Sequence, residues 1–147
     1  MDRLGWMKYP GGNAGQIGEQ VFFNYTAGGQ PRQVYNASGT YFAQDSSYDA
    51  AGRLDWRGLG WNGSVNTLIL DLIYNAWTTQ GGRLQQMKAG TPGSPTSLQD
   101  LRYTYDAVGN VLTIQDWKAG SPQTQTFTYV NPRLKRAGHP RPNWASV

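Results

Sequence analysis

Apolar and polar residues alternate with a period of two along most of the chain, the pattern of strands with one covered face. Val21, Phe23 and Tyr25 fall on one parity, and Phe22, Asn24 and Thr26 on the other. A returning strand is predicted from Pro31 to Tyr35, where Pro31 suits a first position because it has no N–H to give to a ladder. Further strands are predicted from Gly39 to Tyr48, with Tyr41 as an inward ring, and from Arg53 to Trp61, with Trp56 over one face. The most apolar segment, Val65 to Trp77, sets Leu68, Leu70, Leu72 and Tyr74 against Thr67, Ile69, Asp71 and Ile73. An amphipathic helix competes there, but the even-numbered apolar set keeps strand parity and not a 3.6-residue period, so the segment reads as a strand covered on both sides. Gly82 to Lys88 pairs back against it. Leu101, Tyr103 and Tyr105 then share a face, Val111 to Trp117 returns, and Thr124 to Tyr129 follows. Residues 1 to 18 begin in mid-repeat and pass through a turn-rich connection, Tyr9 to Asn13, and Ala89 to Ser97 and Lys118 to Gln123 read as loops.

The punctuation between these strands recurs. Tyr48-Asp49-Ala50-Ala51-Gly52-Arg53-Leu54 returns as Tyr105-Asp106-Ala107-Val108-Gly109-Asn110-Val111. An Asp at the first corner of a β-turn can hold the backbone two residues on, and a Gly at the fourth tolerates φ > 0. With an aromatic residue before and an apolar one after, the heptad predicts the tip of an antiparallel hairpin on a type I turn with a glycine bulge. Looser copies are Tyr25 to Gly29 and Tyr35 to Gly39, the second with Asn36 in the place of Asp. Tyr74-Asn75-Ala76 and Gly82-Arg83-Leu84 form another copy, split by the insertion Trp77 to Gly81. Tyr129 to Leu134 is a degenerate final copy without acid or glycine.

These residues resemble the YD-repeat (RHS-repeat) family, whose repeat is written around Tyr-Asp-x-x-Gly-Arg-Leu. Tyr48 to Leu54 matches every fixed place, and Tyr105 to Val111 matches with Asn110 for Arg and Val111 for Leu. Asp2-Arg3-Leu4 looks like the tail of a repeat whose Tyr precedes residue 1. Recurrence of degenerate copies gives the likeness its specificity, since one such heptad alone would be weak. The resemblance implies an all-β fold, an antiparallel β-hairpin array forming a curved, open sheet over residues 1–135, part of a shell that complete relatives close around a toxic C-terminal domain. The segment that seals such shells and the self-cleaving acids near it in some members have no match here. Residues 136–147 read as a divergent, basic, proline-containing, disordered tail, and the whole as a piece of a longer array.

Composition narrows the partners. Leu, Ile, Val and Phe are scarce, but nine Tyr and six Trp supply apolar area, on the order of 150 to 250 Å² each when buried. The net charge of +4 comes from Arg133, Lys135, Arg136 and Arg141 in residues 131–147, which hold no acid, so the repeat body over residues 1–130 is neutral and lacks the phosphate-neutralising stripe of a nucleic-acid binder. Without cysteine there is no disulfide framework. No signal segment and no apolar run near the ~18 residues of a membrane span is present. A secreted or cell-surface location would follow only from an exported parent chain.

Candidate chemistry is thin. Asp49 and Asp106 could be a carboxylate pair, but each occupies the same corner of its own hairpin and reads as a turn former. His139 is the only histidine and has no Cys or acidic cluster beside it, too few ligands for a metal. No cofactor and no enzymatic activity are expected. Trp6, Trp56, Trp61, Trp77 and Trp117 are either cover for the sheet or stacking platforms for sugar rings; Trp56, Trp61, Trp77 and Trp117 are the candidate carbohydrate contacts. The primary expectation is a structural segment of an RHS-type toxin or surface protein whose partners are neighbouring repeats of a longer chain. A carbohydrate-binding module with glycan partners is the alternative.

Overall fold

The computed structural model describes residues 3–11, 17–118, 121–130 and 133–138, of which 17 and 133–138 are described as backbone only. Tail residues 139–147, including His139, lie outside the described residues. The fold is all-β, with strands β1 (Trp6–Pro10), β2 (Ile17–Tyr25), β3 (Pro31–Asn36), β4 (Tyr41–Tyr48), β5 (Leu54–Trp61) and β6 (Asn66–Tyr74), then a one-turn helix α1 (Trp77–Gln80). Strands β7 (Leu84–Thr91), β8 (Ser94–Tyr105), β9 (Val111–Asp116), β10 (Gln123–Val130) and β11 (Arg133–Gly138) complete it. Strand order follows chain order from β1 to β11, and the described pairings are antiparallel. Consecutive strands of each described pairing are therefore the two arms of a hairpin.

The chain divides into two compact units, Met1–Asp71 with Gly90–Pro95, and Leu72–Ala89 with Thr96–Val147. In the first, Phe22 pairs with Tyr35 and Tyr35 with Tyr41. Their rings lie 5.4 and 5.3 Å apart, a cross-strand aromatic row of the kind that adds to area burial. In the second, β8 and β9 pair from Leu101↔Asp116 to Tyr105↔Val111.

Coverage is slight among the described residues. Val21 at 5% and Ala43 at 6% exposure are the buried apolar residues among those described. Segment 66–74 is a strand, as its parity requires, but it is not sealed on both sides: Leu68 is 36% exposed and the rest of β6 is at best half-buried.

Three sequence expectations change. The Gly-, Pro- and Ser-rich stretch from Ala89 to Ser97 is not a loop, because β7 runs to Thr91 and β8 starts at Ser94, leaving Pro92-Gly93 as the turn. Tyr9 and Pro10, read as the start of a turn-rich connection, instead end a strand, β1, over residues 6–10, with Trp6 opposite Phe22 and Met7 opposite Val21. In both places ladder hydrogen bonds to a neighbouring strand outweigh weak local β-propensity, which is the context dependence expected of strands. The strand pattern also reaches Gly138, past the array end expected at residue 135, through β11 pairing Thr126↔Gly138 to Val130↔Arg133.

So little buried apolar area has a thermodynamic consequence, since burial is the main term opposing chain entropy. The isolated chain should melt broadly and below the roughly 45–65 °C of ordinary mesophilic domains. Differential scanning calorimetry giving a sharp, two-state, monomeric transition inside that range would contradict this account of its stability.

Candidate functional site

The tyrosine-led corners are built alike. At the second, the Asp49 N–H donates to the Arg53 carbonyl at 2.9 Å and the Gly52 N–H to the Asp49 carbonyl at 2.9 Å. The Asp49 carboxylate accepts from the N–H groups of Ala51 and Arg53 at 2.9 Å each, and from the Arg53 guanidinium at 2.7 Å. At the Asp106 corner the same carboxyl position accepts from the N–H groups of Val108, Gly109 and Asn110, and the Asn110 amide donates to its other oxygen at 2.8 Å. In the Tyr25 corner Thr26 Oγ1 accepts from the Gln30 N–H at 3.1 Å, a hydroxyl in the acid's place. Each acid thus spends both oxygens on its own turn and on the residue at the Arg position.

The same bonds fix the acids' protonation. The Arg53 hydrogen bond, then backbone N–H groups, hold the Asp49 carboxyl below its ordinary value. The Asn110 amide leads the same effect on Asp106. A general acid or base near neutrality needs the opposite shift.

Consecutive repeats are joined by the tyrosines. The Tyr25 hydroxyl donates to the Leu4 carbonyl at 2.8 Å, Tyr48 to the Pro31 carbonyl at 2.5 Å, and Tyr105 to the Leu84 carbonyl at 2.7 Å. Leu4, Pro31 and Leu84 all occupy the position just after the Arg place of the preceding repeat. That preceding Arg completes the joint: Arg3 lies over the Tyr25 ring at 5.6 Å and Arg83 over the Tyr105 ring at 5.7 Å. The guanidinium of Arg83 fills the space a Cβ on Gly109 would need, as that of Arg3 does at Gly29. Gly109, at φ +101°, is therefore required twice, by the turn and by the neighbour.

Other predicted repeat residues fall differently. Asn36 and Gly39 form the same local turn, with the Thr40 N–H bonded to Asn36 Oδ1 at 2.8 Å, and Gly39 has φ +80°. That turn joins β3 to β4, so it lies at the opposite strand end from the corners after β2 and β4, and Tyr35 stacks within the sheet. Tyr74 and Gly82-Arg83-Leu84 bracket α1, and Asn75 N–H donates to the Arg83 carbonyl at 2.8 Å, so the insertion is a one-turn helix on an otherwise closed corner. Tyr129 pairs with Leu134 across β10 and β11.

The four candidate tryptophans separate. Trp77 is 63% exposed on α1. Trp117 carries the Arg102 guanidinium 4.5 Å above its ring, and Arg102 also bonds the buried carboxylate of Asp100 at 3.1 Å. Burial opposes charge on Asp100, but hydrogen bonds from Arg102 and Gln86 and the positive charges of Arg102 and Lys88 outweigh it and lower its pKa. Sequence reasoning missed this cluster, because Asp100 carries no local turn signal.

Trp56 and Trp61 instead border one groove of about 340 Å³ in the first unit, with Ser64, Val65, Asn66, Ile69 and Pro92. Residues five apart on a regular strand face opposite sides. Gly60 breaks the pleat between the two indoles with φ +63°. The Asn66 side chain lies where a Cβ on Gly58 would sit, and its Oδ1 is buried without a hydrogen-bond partner. An unmet buried acceptor costs roughly 1–3 kcal/mol. Among the described residues no group of three or more His, Cys, Asp or Glu could share a metal ion, and no helix is long and apolar enough to cross a membrane.

Tyr105→Phe should destabilise the chain by about 1 kcal/mol through the lost bond to Leu84, and Gly109→Ala by more, read as urea midpoints. For Asp49 and Asp106 the folded pKa lies below the unfolded value, so the unfolded chain binds more protons as pH falls. Their contribution is complete above roughly pH 4 and is lost as pH drops through the folded values. Asp49→Asn with Asp106→Asn should make that acid limb shallower, the remainder belonging to Asp45 and Asp100, whose carboxyls are held low by Arg32 and by Arg102 with Gln86, and unchanged midpoints between pH 5 and pH 2.5 in the parent chain would refute the assignment.

No protein-family model matches the sequence, and a search of curated proteins finds no match. Solved structures do match. The chain is similar to part of a Photorhabdus luminescens Tc holotoxin pore bearing a mutated TccC3, at 27% identity over 82% of its length with a TM-score of 0.65. It is also similar to part of a TcdB2–TccC3–TEV crystal structure, at 26% identity over 76% of its length with a TM-score of 0.58. The chain spans 6% and 5% of the lengths of those two chains. Its likeness is thus to a small portion of RHS-repeat-containing Tc toxin chains.

Proposed function

We propose that this chain is a non-enzymatic structural segment of an RHS/YD-repeat protein, contributing hairpins to the β-shell scaffold of a toxin or cell-surface protein. The observation that carries this reading is the joint between repeats: a tyrosine hydroxyl on the preceding repeat's carbonyl, found at Tyr25, Tyr48 and Tyr105. A residue whose hydroxyl, ring and neighbouring glycine all serve the adjacent repeat acts in assembly, and the acids beside it are bound by their own turns. The likeness to Tc toxin chains supports the same role.

In this reading the partners are further repeats of a longer parent chain, and export follows from the parent. Repeat units of this kind gain stability from nearest neighbours, each added interface covering what a single unit cannot bury. The test is to extend the chain with the residues encoded on either side of it and follow thermal unfolding. Flanking tyrosine-led corners that raise the melting temperature by about 5 °C or more would fit a shell segment. Flanking sequence without such corners, or no gain on extension, would overturn the proposal.

A further inference from the structure

We infer that Asn62 is a site of spontaneous covalent modification, its amide lost through a cyclic imide formed with the Gly63 nitrogen and replaced by a carboxylate. This goes beyond the scaffold role and does not depend on it. Asn62-Gly63 is the only Asn-Gly pair in the chain, and it lies in the turn between β5 and β6, where Asn62, Gly63, Ser64 and Val65 are all exposed. Turn formation accounts for the Asn, since its Oδ1 accepts from the N–H groups of Ser64 and Val65 at 3.0 Å each. It does not account for the freedom of the two nitrogens. Among the described residues neither the Asn62 side-chain Nδ2 nor the Gly63 N–H has a hydrogen-bond partner. Nothing lies within 4 Å of the place a Cβ on Gly63 would take, so the approach is open.

The step balances with water as its co-reactant. The Gly63 nitrogen gives its proton to hydroxide and attacks Asn62 Cγ, forming an N–C bond while the carbonyl electron pair moves onto Oδ1. The two N–H groups that already hold Oδ1 receive the developing oxyanion, the placement that stabilises such intermediates in acyl transfer. Collapse breaks the Cγ–Nδ2 bond, and ammonia leaves with a proton from water. Nothing is oxidised or reduced. Water then opens the imide at Cγ to give aspartate, or at the main-chain carbonyl carbon to give isoaspartate. Either product takes one unit from the net charge of +4. Isoaspartate also lengthens the main chain by one carbon inside a turn that the Asn62 N–H closes on the Val65 carbonyl at 3.2 Å, so the β5–β6 tip loosens. The other described asparagines lack this combination. The amides of Asn24, Asn36 and Asn110 donate to Gln33, Glu19 and Asp106 at 2.9, 2.7 and 2.8 Å, and Tyr25, Ala37 and Val111 follow them. Asn66 and Asn75 are followed by Thr67 and Ala76, and each has a buried side-chain polar atom.

The experiment holds the full chain for a month at pH 7, 8 and 9 in water enriched in oxygen-18, then maps its peptides by mass spectrometry. The expected result is conversion at Asn62 ahead of every other described asparagine, with one solvent oxygen taken up, both aspartate and isoaspartate formed, and a rate proportional to hydroxide. Asn62→Gln, whose amide would have to close a larger ring, should stay unmodified, and Gly63→Ala should slow conversion about tenfold or more. Gly63 has φ +98°, so far-UV circular dichroism checks that Gly63→Ala is folded, and Asn62→Gln with the product ratio decides the matter if it is not. An unchanged Asn62 in the folded chain, conversion confined to chain unfolded in urea, aspartate without isoaspartate, or equal conversion at Asn36 would each overturn the inference.

Discussion

A single hydrogen bond, from a tyrosine hydroxyl to the main-chain carbonyl one repeat earlier, is the constraint on which the rest of this chain depends. Among the described residues the strands bury almost nothing: two small or medium apolar residues are sealed, and the aromatic rings are half-buried or exposed. Ladder bonds pair neighbouring strands and set their register, but they do not tie one tyrosine-led corner to the next at the same strand end. The tyrosine does, because its hydroxyl reaches one specific carbonyl, at Leu4, Pro31 or Leu84.

The other fixed places of the repeat follow from that bond. The acid closes the turn that aims the tyrosine and neutralises the Arg position, as Asp49 does for Arg53 at 2.6 Å. At Arg3 and Arg83 the Arg position faces forward, lying over the next tyrosine ring and against the next glycine. Where Gln30 replaces Arg, its amide nitrogen still comes within 3.4 Å of the place a Cβ on Gly52 would take. The substitution keeps the reach and gives up the charge. In a neutral repeat body the exposed pairs add little energy, so their contribution is chiefly to geometry.

The groove of Trp56 and Trp61 follows a different logic. It needs an interruption in a strand and a missing side chain at Gly58, neither of which serves the joints between repeats. The same glycine abundance that makes tight corners therefore also permits a local hollow on a sheet that is otherwise paired throughout.

The corners were legible in the sequence because their physics is local. An Asp or Asn, a Gly three residues on and a preceding Tyr specify a turn within five residues, whatever the chain does elsewhere. That is why Asn36 to Gly39 closes the same turn at the wrong end of the strands: the local code says how to turn, not where. Parity likewise identified a strand in the segment Val65 to Trp77, though it ends at Tyr74 and Trp77 begins α1. Tertiary structure alone decided that residues 6–10 and most of 89–97 pair as strands, that Asp100 is buried beneath Arg102, and which two of four tryptophans meet. Each of these rests on a partner from another strand or on a backbone angle at Gly60, and a partner distant in sequence leaves no periodic trace in the segment that receives it.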